Sequence, residues 1–207
     1  MERTNKKNTF LQALVVGLKL LLICAIIAGL IALVYHLTFE KTNANRKMEE
    51  EAAIAEAFGR DTVITKDLVE GEVYEVFELN AETNENVLLG YCVKAVGVGY
   101  GGDVPMMIGF DKDQKVCGIT VMTNSETPGL GSKIGNDKGA SFRESFFGKL
   151  GSFILKKDAG NDTDPSMIVV DQIGGATYSS RAVVDGVNAA TAALQKALEQ
   201  KGGTPNE

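Results

Sequence analysis

The amino-acid sequence predicts an α+β fold in which one N-terminal transmembrane helix precedes a domain with a mainly antiparallel sheet and a C-terminal helix. Three observations support this prediction. An uncharged apolar run extends from Leu20 to Tyr35. Strand-like segments separated by turn-forming residues follow one another between residues 73 and 123. Apolar residues then recur at helical spacing from Ser179 to Gln200. Because the strands are grouped and do not alternate with helices, the pattern favours α+β over a parallel α/β fold.

The apolar run is predicted to be an uncleaved single-pass membrane anchor covering residues 10–36. Gln12 and Lys19 are its only polar interruptions, so it supplies the roughly 20 residues that a helix needs to cross about 30 Å of hydrocarbon. A cleaved signal peptide is disfavoured because no small-x-small cleavage site follows the run. Residues 1–9 form a short tail before it. The distribution of basic residues slightly favours an inside N-terminus, with the domain outside.

The rest of the chain divides at changes in composition. Residues 37–60 contain a stretch of high helix propensity, 41–58, which is predicted to connect the anchor to the domain and to end at Gly59. A compact domain is predicted over 61–201, followed by a mobile tail over 202–207. Within the domain we expect strands near 73–79, 87–98, 105–111, 116–123 and 167–170, and a helix near 139–150.

The charge of the chain is unevenly distributed. The formal net charge is −6. Residues 1–39 hold four basic residues against one glutamate, so they carry +3 and the remainder carries −9. An acidic domain argues against nucleic acid as a partner, because binding to phosphates needs a clustered basic surface.

Histidine and cysteine are too sparse for several kinds of site. His36, the only histidine, lies beside the apolar run, so the domain lacks the residue needed for Ser-His-Asp or Cys-His catalysis and for the usual histidine metal sites. No C-x-x-C motif is present. Cys92 and Cys117 are expected to be small buried hydrophobic residues, and a disulfide between them is left open. The sequence therefore predicts no catalytic side chain and no metal site.

A glycine-rich segment, Gly97-Val98-Gly99-Tyr100-Gly101-Gly102, formally satisfies the dinucleotide-binding pattern G-x-G-x-x-G. In that motif a helix should begin at the glycines. Here the residues from Asp103 onward lead into another predicted strand. The segment is therefore predicted to be a loop or bulge at which the backbone passes close to another group.

Residues 124–131, Asn-Ser-Glu-Thr-Pro-Gly-Leu-Gly, follow a predicted strand. An ordinary turn is one interpretation, because Pro-Gly is a strong turn-forming pair. The loop also offers the carboxylate of Glu126, the hydroxyl of Thr127, backbone amides and the apolar Leu130, which together suit one edge of a planar ligand. The loop alone leaves both interpretations open.

Residues 171–180, Asp-Gln-Ile-Gly-Gly-Ala-Thr-Tyr-Ser-Ser, join a predicted buried strand to the C-terminal helix. The small residues allow a tight turn, and Thr177 falls at or just before the helix N-terminus. Unpaired N–H groups and the positive end of the helix dipole favour a phosphate there. The alternative is that Thr177 caps the helix, a common role worth about 1 kcal/mol.

The stretch from Asp171 to Thr177 resembles the D-x-x-S-G-A-T signature at which a flavin transferase attaches FMN to threonine through its phosphate. Residues 126–131, Glu-Thr-Pro-Gly-Leu-Gly, match the second signature of the same FMN-binding domains. With the N-terminal span, these motifs make nearly the whole chain similar to the G subunit of the Rnf complex, an ion-translocating ferredoxin:NAD oxidoreductase. One departure is Gly174, where the family usually has Ser. Glycine keeps the turn but removes a hydroxyl.

The resemblance implies an electron-transport flavoprotein in which a separate flavin transferase links FMN covalently to Thr177. The linked phosphate is expected over the amides of Ser179, Ser180 and Arg181, with the Arg181 side chain available to pair with its charge. Asp171 is expected either to assist the transferase or to hold the turn. The other cofactor-binding residues that the resemblance implies are Gly175, Ala176, Glu126, Thr127, Gly129 and Leu130.

The resemblance also implies partners and a location. The partners are the other membrane subunits of an Rnf-type complex and the lipid bilayer. The location is the bacterial cytoplasmic membrane, with the FMN-binding domain, residues 61–201, on the extracytoplasmic side. Because the flavin performs the redox chemistry, the protein binds and positions it, and the chain by itself is expected to show little or no activity.

Two alternatives stand beside this interpretation. The C subunit of a sodium-translocating NADH:quinone reductase shares both motifs. Its members tend to be longer, so the length of this chain favours the Rnf protein. In the second alternative the chain is a membrane-tethered binding or sensor module without a redox role, and Thr177 only caps a helix.

Overall fold

The computed structural model describes residues 2–80, 83–160 and 163–202. The chain divides into two compact units, Met1–Met48 and Glu49–Glu207. Of the predicted mobile tail, 202–207, Gly202 is the last residue of the C-terminal helix, and residues 203–207 lie outside the described residues.

The first element is a 56-residue helix, α1, which runs from Glu2 to Ala57. This helix covers most of the predicted tail, anchor and connecting segment. Its portion Leu14–Phe39, 26 residues long, has the length and composition of a membrane span, and none of its most apolar window is buried. At about 1.5 Å per residue this portion is long enough to cross a bilayer. Gly59 follows the helix with φ +62, and its N–H donates to the carbonyl of Glu56 at 2.9 Å, as is common where helices end.

Five strands follow α1 and form one antiparallel sheet in sequential order. Strand β2 coincides with the predicted 73–79, and the next three strands agree with the predictions to within a few residues. Strand β1 was not predicted. It is an edge strand that includes Thr65, Lys66 and Asp67 and is mostly exposed, so it lacks the apolar pattern from which strands are recognised. The bounds are Ile64–Val69 for β1, Val73–Leu79 for β2, Asn86–Val98 for β3, Asp103–Asp111 for β4 and Val116–Val121 for β5.

Short elements connect the sheet to the C-terminal helix. Two 3-10 turns, Gly131–Gly135 and Asp137–Gly139, lead into a short helix α2. Strands β6 and β7 then pair in parallel, and β7 lies within the predicted strand 167–170. The bounds are Ala140–Glu144 for α2, Phe153–Leu155 for β6, Ile168–Val170 for β7 and Thr177–Gly202 for the helix α3.

The prediction of a helix over 139–150 is wrong in its length. Helix α2 ends at Glu144, and Gly148 has φ +70, which a continuing helix does not allow. The N–H of Gly148 donates to the carbonyl of Val116 at 2.8 Å, and the N–H of Val116 donates to the carbonyl of Lys149 at 3.0 Å. The segment therefore pairs with the start of β5. The predicted apolar face is confirmed only in part: Phe142 and Phe146 are buried in the core, but Leu150 is exposed.

Helices cover both faces of the five-stranded sheet. On one face, Ile108 of β4 shares a buried cluster with Val183 and Leu194 of α3. On the opposite face, a second cluster joins Met107 of β4 to Ile54, near the end of α1. Because successive residues of a strand point to opposite faces, Met107 and Ile108 enter different clusters. This arrangement explains why β4 is buried almost continuously.

The cysteines are free in the structure. Cys92 is buried, as predicted, and burial raises the pKa of its thiol. Cys117 is only half-buried, because it lines a cavity of about 480 Å³ between the end of α1, the sheet and α2. Partial burial and the charge of Asp111 raise the pKa of the Cys117 thiol to about 11. Both thiols are therefore mostly protonated near neutral pH.

An exposed ion pair joins the chain after β6 to the first turns of α3. The Arg181 guanidinium donates from Nε to Asp158 Oδ2 at 2.9 Å and from Nη2 to Asp158 Oδ1 at 2.7 Å. These hydrogen bonds hold the pKa of the Asp158 carboxyl below its ordinary value of 3.8. The pair ties the loop after β6 to α3 by a two-point contact, which fixes orientation better than a single hydrogen bond.

We expect Gly118→Ala to lower the free energy of unfolding by about 3 kcal/mol, the upper end of what overpacking costs in a core. A Cβ at Gly118 would lie 1.8 Å from the carbonyl oxygen of Ala57, so α1 would have to move away from β5. Thermal unfolding of the full chain in detergent measures the change. The control is Gly160→Ala, where a Cβ meets nothing within 4 Å. Equal stability of the two variants would contradict the close packing of Ala57 on β5.

We expect the contribution of Asp158 to stability to disappear in acid. A carboxyl whose folded-state pKa lies below 3.8 stabilises the fold above that pH and loses the contribution as the pH falls through the folded value. The stability difference between wild type and Asp158→Asn should thus be constant above about pH 5 and shrink below pH 4. Urea unfolding across this range tests it. In an Arg181→Met background, the stability change caused by Asp158→Asn should not depend on pH in this range. If it depends on pH as in the wild type, Arg181 is not the cause of the lowered pKa of Asp158.

Candidate functional site

The first turn of α3 is held by the six residues before it. Gly175 has φ +77, which lets the chain reverse between β7 and the helix. The N–H of Ala176 donates to the carbonyl of Ile173 at 3.0 Å. The N–H of Ile173 in turn donates to the buried hydroxyl of Ser180 at 3.0 Å. These contacts fix the position of Thr177, the first residue of α3.

Thr177 is half-buried, and its hydroxyl makes no hydrogen bond to any other residue that the structure describes. A threonine that caps a helix would accept a hydrogen bond from an amide one turn further along. Thr177 lies inside the helix and does not make this contact. Its oxygen is therefore available for another partner.

A cavity of about 370 Å³ lies beside Thr177, within the range of about 300–1,000 Å³ typical of small-molecule and cofactor sites. We call it the Thr177 cavity. Three segments form its wall: the turn between β3 and β4, the loop 124–131 and the start of α3. The lining residues are Tyr100, Glu126, Thr127, Leu130, Gly131, Gly175, Ala176, Thr177, Tyr178 and Ser179.

Seven of the ten residues predicted from sequence line the Thr177 cavity, and three do not. Gly129 lies at the tip of its loop with φ +76. Ser180 is buried and holds Ile173. Arg181 forms an exposed ion pair with Asp158, and the expectation that its side chain pairs with a phosphate stays a prediction. The larger cavity beside Cys117 contains none of the predicted residues.

The amides at the start of α3 also differ from the expectation. The N–H of Ser180 donates to the carbonyl of Ala176 at 2.8 Å, and the N–H of Arg181 lies in the regular part of the helix. Neither is free to bind a phosphate. Among the described contacts, the amides of Thr177, Tyr178 and Ser179 have no backbone acceptor, as expected for the first turn of a helix. Of the three predicted amides, only that of Ser179 is therefore open to a ligand.

Glu126 joins the three segments of the cavity wall. Its carboxylate is buried and accepts a hydrogen bond at Oε1 from the N–H of Gly101 at 2.7 Å. Its Oε2 accepts a short hydrogen bond from the hydroxyl of Ser179. A Cβ at Gly99 would lie 2.3 Å from Oε1, and one at Gly131 would lie 2.2 Å from Oε2. The prediction that the glycine-rich segment passes close to another group is thus confirmed, and at Gly99 that group is Glu126.

Two tyrosines form an exposed aromatic edge of the Thr177 cavity. The ring centroids of Tyr100 and Tyr178 are 6.3 Å apart. The exposed fraction is 76% for Tyr100 and 62% for Tyr178. The guanidinium carbon of Arg181 lies 5.6 Å from the Tyr178 ring centroid. Both tyrosines and Gly131 were not predicted from the sequence as site residues. The available signal for the tyrosines was their position in the glycine-containing segments 97–102 and 171–180.

The lining suits FMN. The aromatic rings and Leu130 offer apolar surface to a planar ring system, as cofactor pockets commonly do. The Thr177 hydroxyl and the open amides lie at the first turn of α3, where the helix dipole favours a phosphate. Gly174 has nothing within 4 Å of the position of a Cβ, so the missing serine hydroxyl leaves this lining unchanged.

The family of FMN-binding domains matches residues 99–192 of the chain. All ten residues that line the Thr177 cavity fall within this match. The match therefore covers the β3–β4 turn, the loop 124–131 and most of α3, which are the three segments of the cavity wall.

Similar proteins are named as subunits of ion-translocating oxidoreductase complexes. The G subunit of the ion-translocating oxidoreductase complex of Erwinia tasmaniensis is 30% identical over 196 residues, covering 84% of this chain and 86% of that protein. Its counterpart in Photorhabdus laumondii is 30% identical over 200 residues, covering 86% and 88%. The G subunit of the Na⁺-translocating ferredoxin:NAD⁺ oxidoreductase complex of Acetobacterium woodii is 29% identical over 189 residues, covering 83% and 86%.

A solved structure shares the fold. The C subunit of the Na⁺-translocating NADH-quinone reductase of Parabacteroides distasonis superposes with a TM-score of 0.55 at 17% sequence identity, covering 82% of this chain and 98% of that one. At this identity the likeness concerns the fold alone. The extent and identity of the sequence matches place the chain in the family of G subunits of the ion-translocating oxidoreductase complex.

Proposed function

We propose that the chain binds FMN in the Thr177 cavity, linked through its phosphate to the Thr177 oxygen, and transfers electrons as one subunit of a membrane-bound oxidoreductase complex. One observation carries the proposal: the Thr177 hydroxyl, without a hydrogen-bond partner among the described residues, borders a cofactor-sized cavity. A residue needed only as a helix cap would use its hydroxyl for the helix.

The residues of the cavity divide by role. Leu130, Tyr100 and Tyr178 hold the isoalloxazine ring by apolar and aromatic contact. The open amides at the start of α3 stabilise the negative phosphodiester. FMN supplies the electron-transfer chemistry that no side chain of the cavity can perform. The protein retains the cofactor, excludes water from part of it and sets its environment.

The complex we propose resembles that of the relatives, which are named as subunits of ferredoxin:NAD⁺ and other ion-translocating oxidoreductases. The span Leu14–Phe39 contains Lys19 as its only residue of the types Asp, Glu, Lys and Arg. Ion pathways through membranes need ionisable groups at depth, so we assign ion translocation to partner subunits. We place the FMN-binding domain on the extracytoplasmic side, and we expect little or no turnover from the chain alone.

A flavin transferase installs the cofactor in this proposal, and Asp171 is the residue that we assign to its recognition. The side chain of Asp171 is 80% exposed, and its only ion pair among the described residues is with the exposed Lys156, at 3.3 Å. Such a pair contributes little to stability. Asp171 therefore does not hold the turn, and its carboxylate is accessible to an enzyme that approaches Thr177.

We expect a full-length chain co-expressed with a flavin transferase to give a fluorescent band on a denaturing gel under ultraviolet light. Thr177→Ala should remove the band, because the attachment oxygen is lost. The matched control is Thr127→Ala, which removes a hydroxyl from the same cavity and should keep the band. A dark wild-type band, with the transferase active on another substrate, would reject the covalent link and favour the membrane-tethered binding module.

We expect Asp171→Ala to reduce covalent flavin at least several-fold without lowering the thermal unfolding temperature of the apoprotein. Mass spectrometry of the intact chain gives the fraction that carries the added FMN. Lys156→Ala breaks the same ion pair while leaving the carboxylate in place, and should load flavin normally. Equal loading of Asp171→Ala and wild type would remove Asp171 from transferase recognition.

A further inference from the structure

Glu126 is a buried acid whose two oxygens are both used by the protein. It is 5% exposed. Its Oε1 accepts from the N–H of Gly101 and its Oε2 accepts from the hydroxyl of Ser179. The carboxylate is therefore held in one orientation within the wall of the Thr177 cavity.

No cation compensates this carboxylate among the residues that the structure describes. Glu75, the other buried glutamate, is 6% exposed and pairs with Lys201. Glu126 takes part in none of the ion pairs in the described ranges. Burying a charge without an opposite charge is costly. The charge of Glu75 is compensated by Lys201, whereas that of Glu126 is not compensated by a cation among the described residues.

The hydrogen bonds alone do not require a charge at this position. A glutamine would accept from the N–H of Gly101 with its carbonyl oxygen. Its amide could donate to the hydroxyl of Ser179, which can act as an acceptor as well as a donor. Glutamine would join the same three segments at a smaller cost of desolvation. A carboxylate differs from glutamine here chiefly in its charge, which the positive end of α3 favours and which lies in the wall of the Thr177 cavity.

We propose that the negative charge of Glu126 lowers the reduction potential of the flavin in the Thr177 cavity, and that Gly101 and Ser179 position that charge. The inference rests on the proposed function and adds a tuning residue to it. Each electron that enters the flavin brings negative charge towards the carboxylate. In a partly buried site, repulsion between like charges is screened less than in water. The oxidised flavin is therefore favoured.

The test is a redox titration of the full-length chain in detergent, loaded with flavin by the transferase, with dithionite as reductant and flavin absorbance as readout. Glu126→Gln keeps the size and the hydrogen bonds and removes the charge, so its potential should shift to a more positive value. The control Glu78→Gln removes the same charge from an exposed pair with Arg60, outside the cavity. It should leave the potential unchanged.

Two further variants separate the charge from packing. Ser179→Ala removes one hydrogen bond and keeps the charge, so it should shift the potential less than Glu126→Gln does. Glu126→Asp keeps the charge on a shorter side chain and should stay closer to the wild-type potential than Glu126→Gln. If Glu126→Gln does not fold, Ser179→Ala decides. A positive shift that Glu78→Gln does not show supports the proposal, because Ser179 positions the charge, and an unchanged potential overturns it.

The other outcomes would contradict either the role of the Glu126 charge or the proposed function. An unchanged potential in Glu126→Gln, or an equal shift in Glu78→Gln, would overturn the assignment of the charge. A folded Glu126→Gln that takes up no flavin, beside a loaded wild type, would show that the carboxylate serves loading, which also overturns it. Absence of flavin from the wild type would instead reject the proposed function, so the two failures are distinguishable.

Discussion

The close approach of α3 to β3 is the constraint on which the site depends. A Cβ at Gly97 would lie 2.0 Å from the carbonyl oxygen of Ala182, so only glycine lets the helix lie this close to the strand at that point. Ala182 follows Thr177 by little more than one helical turn, and its position fixes the start of α3. Ser179 then reaches Glu126. A larger residue at position 97 would move Thr177 and the contact between Ser179 and Glu126 together.

In the hairpin formed by β3 and β4, the strands pack in the core and the turn between them contributes to the cavity wall. Strand β4 is buried along most of its length and β3 in part, while the turn that joins them places Tyr100 in the cavity wall and Gly101 against Glu126. The rigid strands fix the ends of this turn, and the glycines give it close access to Glu126. A site held by a scaffold in this way can keep its geometry although its residues come from distant parts of the sequence.

Much of this fold and site could be predicted from sequence because it depends on patterns among residues that are close together in the chain. The strand β2, the helix α3 and the position of Thr177 follow from periodicity and motif residues. The edge strand β1 lacks an apolar pattern, and Gly148 ends α2 by pairing with Val116, a contact that sequence spacing does not reveal. Likewise Arg181 binds Asp158, 23 residues away. Tyr100 and Tyr178 meet only because the hairpin turn and the first turn of α3 adjoin in the fold.

Helix α3 is held near both ends by glutamates that are almost fully buried, Glu126 at its first turn and Glu75, through Lys201, at its last. Such a helix can neither slide along its axis nor rotate without breaking one of these two contacts. A cofactor linked to Thr177, as we propose, would be attached to a helix that is fixed within its domain. Because electron-transfer rates fall steeply with distance, such a cofactor would keep a constant distance to the rest of that domain.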